Sequence, residues 1–192
     1  MRPLGPVLPR RRLLAALAGL SAIGLAPAAR AGFNFFTSEY TASRAELEAQ
    51  LTRRFPLQRG AGGLFTVTLR NPRLALDAPA NRVRLVMDFV VGSPLVQPSE
   101  IPGVTTLSSA LRYDAPTLSL RLEQPRAEQL QLAGVTGADA ERLQRIAAAV
   151  AQEALQGQAL HTFRAEDLTV GRKTYEIGAI TVLADGLKVQ LL

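Results

Sequence analysis

The chain has 192 residues, the size of one domain with or without a targeting segment, and carries 22 basic against 16 acidic side chains and no cysteine. Arg2, Arg10, Arg11, Arg12 and Arg30 fall in residues 1–31 and no acid does, so the remainder is nearly balanced, with 17 basic and 16 acidic residues. The high pI therefore belongs to the N-terminus and gives no ground for nucleic-acid binding, and the lack of cysteine excludes disulfides and thiolate-based metal sites.

The basic start, the apolar run Leu13 to Leu25 and the Ala29-Arg30-Ala31 site have the form of a secretory signal peptide cleaved after Ala31. The run, about 13 residues, falls short of the roughly 20 that span a bilayer, so no transmembrane segment is expected in the mature protein. Arg10-Arg11-Arg12-Leu13-Leu14 is similar to a twin-arginine signal, but Pro9 precedes it, and the general secretory (Sec) route is preferred. The mature chain, 32–192, is expected to be one soluble periplasmic domain.

Phe33, Phe35, Phe36 and Tyr40 predict a first strand or a segment docked on the sheet. Ser43-Arg44-Ala45-Glu46 is a capping box that opens a short helix to about Arg54, with Leu47, Leu51 and Phe55 on one side and Pro56 as its stop. Gly60 to Gly63 reads as a loop and Leu64 to Arg70 as a strand; Asn71-Pro72 breaks it or forms a bulge, and Leu74 to Leu76 continues extended. Asp77 to Asn81 is turn chemistry. Arg82 to Val91 alternates, with Val83, Leu85, Met87, Phe89 and Val91 on one face.

Pro94, Pro98 and Pro102 make Gly92 to Gly103 a loop or a broken edge. Val104 to Tyr113 and Thr117 to Pro125 follow as strands, the second with Leu118, Leu120 and Leu122 on one face and extended by Arg126 to Val135. Ala138 to Gln156 is the long amphipathic helix. Leu143, Ile146, Ala147, Val150, Ala151 and Ala154 recur on one face, with Thr136 placed to cap its start and Gly157 its end. Gln158 to Phe163 is extended, Thr174 to Leu183 is a strand, and Asp185-Gly186 turns it into Leu187 to Leu192. The order predicts an α+β domain in which the helix lies on an antiparallel sheet.

The helix stripe is mostly alanine. Either the helix approaches the sheet closely, alanine permitting the contact, or a gap remains that an acyl chain fills.

Catalytic chemistry finds little to work with. His161 is the one histidine and reads as a structural or surface residue. No metal site and no cofactor are expected. There is no G-x-S-x-G elbow, and Asp88 and Glu123 lie on arginine-rich strand faces, where ion pairs with Arg84 or Arg121 are the natural use. An enzyme is not expected.

Five short stretches, taken in order, carry a family likeness. They are Tyr40-Thr41-x-x-Arg44-x-Glu46-Leu47-x-x-x-Leu51, then Leu64-Phe-Thr-Val-Thr-Leu-Arg-Asn-Pro72 with Asn81-Arg82-Val83-Arg84-Leu85, then Leu155-Gln-Gly157 followed by Leu160-His-Thr-Phe163. The chain resembles the YceB-like family of small bacterial envelope proteins, a domain of unknown function, and departs from it in lacking the lipid-attachment cysteine. That resemblance implies a TULIP-like (tubular lipid-binding) architecture: a curved antiparallel sheet wrapped around one long helix of the C-terminal half, with a short N-terminal helix. It implies binding of a lipid or other hydrophobic ligand in an apolar groove. Leu143, Ile146, Val150, Ala151 and Ala154 would form the helix wall of that groove, and Val67, Leu85, Phe89, Leu118 and Leu120 the sheet wall. The alternative expectation is a non-enzymatic envelope structural or assembly-partner protein with a packed core, whose partner is another envelope protein.

Overall fold

A computed structural model describes residues 32–34, 38–95, 98–170 and 172–192. The expected signal peptide, residues 1–31, and Phe35 and Phe36 lie outside the described residues.

The elements in chain order are β1 (Gly32–Asn34), β2 (Glu39–Ser43), α1 (Arg44–Thr52), β3 (Leu57–Ala61), β4 (Phe65–Asp77), β5 (Arg82–Gly92), β6 (Glu100–Asp114), β7 (Ser119–Leu132), α2 (Gly137–Leu155), β8 (Ala159–Thr162), β9 (Thr169–Val170), β10 (Lys173–Thr174), β11 (Ile177–Val182) and β12 (Gly186–Leu191). Strands 3 to 8 form one antiparallel sheet in sequence order, curled into a half-barrel. A second sheet has the order β1-β2-β12-β11, and β9 and β10 form a two-stranded sheet.

This overturns the expected α+β arrangement. Among the described residues strands hold 55% and helices 23%, and no long helix is wrapped by the sheet. The 19 residues of α2 span about 28 Å at 1.5 Å per residue. The helix packs on β7 and also reaches β3 and β4, near the far edge of the same sheet. It therefore covers the open side of the half-barrel, as α1 does between β4 and β8. The TULIP-like expectation fails for this reason.

Strand length explains the shift in balance. β4, β6 and β7 run for 13, 15 and 14 residues and carry Pro72, Pro102 and Pro125 within them. Pro72 sits in the bulge that was one of its two expected outcomes, and β7 extends past Pro125 as expected. Pro102 lies in a strand where a loop or broken edge was expected. Pro72 and Pro125 lie where the pairing register slips, between Arg70 and Arg73 and between Glu123 and Arg126, so neither owes an N–H to the ladder. Each follows a residue at positive φ, Asn71 (53°) and Gln124 (48°). Helices supply partners beside each bulge: Leu74 N–H donates to Glu48 Oε1 of α1 at 3.1 Å, and Gln124 N–H to Gln156 Oε1 just after α2 at 3.0 Å. Pro102 sits where β7 has ended, its carbonyl accepting from Ala133 N–H at 2.9 Å, so β6 begins at Glu100 inside the expected loop.

The capping box is formed, Ser43 and Glu46 exchanging side-chain and backbone hydrogen bonds. Thr136 precedes α2 without capping it through its side chain. The alternation on β5 is complete: Val83, Leu85, Met87, Phe89 and Val91 are all buried. They join Val67, Leu69 and Leu74 of β4, Leu120 and Leu122 of β7, Leu47 and Leu51 of α1, and Leu187 and Val189 of β12 in one hydrophobic cluster. The expected ion-pair partners differ: Glu123 pairs with Arg112 and Arg121 with Asp114, while Asp88 accepts from Asn71 Nδ2 at 2.7 Å.

Candidate functional site

The register gathers four strand ends at one end of the large sheet. Thr66 faces Gly92, Gly92 faces Glu100, and Gly103 faces Leu132, so the starts of β4 and β6 and the ends of β5 and β7 lie together. The chain leaves β7 at Leu132 and enters α2 at Gly137, which brings the N-terminal half of the helix to the same end. Between them is a cleft of about 660 Å³. Leu64, Phe65, Leu95, Ile101, Val135, Leu143 and Ile146 give it apolar walls, and Thr136, Asp139 and Arg142 are its polar members.

Helical periodicity accounts for one wall. Residues 139, 142, 143 and 146 are spaced at three and four, so they share a face, with the charged pair near the mouth and Leu143 and Ile146 following it. The same face continues as Ala147, Val150, Ala151 and Ala154, all buried. Ile101 enters from the inner face of β6, opposite Val91 in the ladder.

Of the ten residues expected to line a groove, the cleft brings together Leu143 and Ile146. Val67, Leu85, Phe89, Leu120, Ala151 and Ala154 lie in the central cluster at 0–2% exposure, with Val150 beside them at 8%. Leu118 is half-buried at φ 47° after the short 3₁₀ turn Ala115–Thr117. Leu64, Phe65, Thr136, Asp139 and Arg142 also line the cleft without having been among the ten, as do the aliphatic residues Leu95, Ile101 and Val135. For the last three the signal was a large aliphatic side chain in a stretch read as loop or strand extension.

A second cluster joins the two sheets. Tyr40 of β2 and His161 of β8 meet with Oη and Nε2 3.2 Å apart, and Phe163 packs edge-on against both rings. Glu46, Gln50, Arg164 and Asp167 complete a polar cleft of about 220 Å³. Burial pushes the Tyr40 hydroxyl well above the ordinary phenol value, helped by the charges of Asp167 and Glu46. Burial lowers His161 below the ordinary imidazole value, and the same two carboxylates work against that shift. Asp167 is held low by its hydrogen bonds from Arg164. His161 Nδ1 is buried with no hydrogen-bond partner. The histidine is thus a core residue, and its contact with Tyr40, 121 positions away, could not be read from spacing.

Among the described residues no group of three or more His, Asp or Glu side chains could hold a metal ion, and no helix is long and apolar enough to cross a membrane. No family model matches the chain, and a search of curated proteins finds no significant relative.

Proposed function

We propose that this protein binds a lipid acyl chain or a similar apolar ligand, seated in the cleft at the open end of the half-barrel. The observation that carries the reading is the cleft itself: about 660 Å³, within the roughly 300–1,000 Å³ of small-molecule sites, with mostly aliphatic and aromatic walls and a few polar groups. Ligand binding there needs no cavity in the central core, so the buried helix alanines and the site coexist. Affinity comes from apolar burial at roughly 25 cal/mol per Å², less the cost of association. Thr136, Asp139 and Arg142 are placed to meet a polar head group. Export to the periplasm, read from residues 1–31, belongs to the same proposal.

Native mass spectrometry of the protein purified from its own cells, followed by titration with a fluorescent fatty acid, tests it. A co-purifying apolar molecule, displaced by the probe with saturable binding, is expected. A bare mass and no saturable binding would remove the carrier reading and leave that of an envelope assembly partner.

A further inference from the structure

We infer that the mouth of the cleft is a membrane-docking face, where Leu64 and Leu95 seat in the acyl boundary of a zwitterionic lipid surface. Among the described residues the exposed large hydrophobics are Leu64 (48%), Leu95 (65%), Val104 (45%) and Leu192 (61%). Two of these four stand on separate loops and line the same cleft.

Neither position is required by the core. Leu64 ends the β3–β4 turn, after Gly62 and Gly63 at φ +60° and +72°, and a Cβ at either glycine would meet nothing within 4 Å. Leu95 follows Pro94 beyond the end of β5. Two aliphatic tips projecting from loops around an apolar mouth suit a soft lipid phase, which accepts side chains without shape complementarity. They supply far less surface than the about 1,200 Å² that a specific protein interface buries.

Charge selects the kind of lipid. The charged residues lining this cleft and the groove beside it are Arg142, Asp139 and Glu100, one cation against two anions. A face of this kind gains nothing from anionic head groups, so docking rests on the apolar tips and is insensitive to salt. As a route for ligand exchange the docking depends on the function proposed above; as contact with a bilayer it does not.

Flotation of the protein, in the form the cell releases and with its N-terminus read by mass spectrometry, on phosphatidylcholine vesicles tests the face without any bound ligand. Binding that is unchanged between low and high salt is expected. The double variant Leu64→Ser with Leu95→Ser should lose it by about tenfold or more, because two leucines no longer leave water. Both side chains are exposed, so its urea midpoint should match that of the parent. Three results would each overturn the inference: no flotation of the parent, equal flotation of the double variant, or binding confined to anionic vesicles. A concentration-dependent dimer abolished by Leu95→Ser would assign the face to a second copy and overturn it equally. Failed fatty-acid titration with intact, leucine-dependent flotation would instead remove the ligand reading alone.

Discussion

The ring of Phe89 on β5 lies across the backbone of Gly103, its partner on β6, so closely that a Cβ at residue 103 would come 2.5 Å from ring atoms Cε1 and Cζ. The same Cβ would run into the backbone carbonyl oxygen of Gln131 on β7. The glycine is the gap into which a fully buried aromatic ring fits. Gly103→Ala is expected to destabilise the fold by roughly 1–3 kcal/mol through overpacking, read as a lower urea midpoint at unchanged slope. Combining it with Phe89→Leu should return only the ring's share of that loss, since the contact with the Gln131 carbonyl remains.

Asn81 ties the two sheets together. Its side chain accepts from Val182 N–H at 2.7 Å and donates to the Ile180 carbonyl at 3.2 Å, both on β11, while its own φ of 50° turns the chain from β4 into β5. Asn81→Gly keeps the backbone angle and loses both bonds, at an expected cost of about 1–2 kcal/mol. Asn81→Ala adds the strain of a left-handed alanine and should cost about 1 kcal/mol more. Equal losses for the two variants in chemical denaturation would show that the backbone angle does not matter.

Acid should weaken the fold through His161. Its folded-state pKa lies below the ordinary value of 6.5, so between the two values the unfolded chain holds the extra proton. The stabilisation is present in full above pH 6.5 and is lost as the pH falls through that window. Urea midpoints should therefore drop between pH 7.5 and 5.5, about one unit to either side of 6.5, and His161→Gln should flatten the drop. A parent and variant with the same slope would detach this histidine from the effect.

The helix face separates binding from stability along its length. Ile146 is half-buried against the cleft, whereas Ala151, 1% exposed, packs in the core. Ile146→Ser is expected to weaken an apolar probe by about tenfold, the value of roughly one lost aliphatic contact, with a small stability cost. Ala151→Leu should do the reverse, costing roughly 1–3 kcal/mol from overfilling while probe affinity per folded molecule is retained. Fluorescent-probe titration and urea denaturation on both variants check the pair.

Local physics made much of this protein legible from sequence. The Ser43–Glu46 capping box, the alternation of β5 and the β11–β12 hairpin each involve residues within a few positions of one another, and each formed. The hairpin, however, turns through residues 183–185, and Gly186 already belongs to β12. The apolar stripe of α2 was legible for the same reason, because period 3.6 is a property of the segment alone. What the helix packs against was not. Whether Pro72, Pro102 and Pro125 end a strand or ride through it depends on neighbours that absorb the missing N–H: a register slip, the end of an adjacent strand, or a helix side chain such as Glu48 or Gln156. Those neighbours are remote in sequence. The cleft likewise exists only because antiparallel register brings Leu64, Leu95, Ile101 and Ile146 to one end of a curled sheet. Composition and periodicity thus decided the strands, the helix faces and the apolar material. Long-range pairing decided the curl, the cover provided by α2, and the cleft where Leu64 and Leu95 stay exposed.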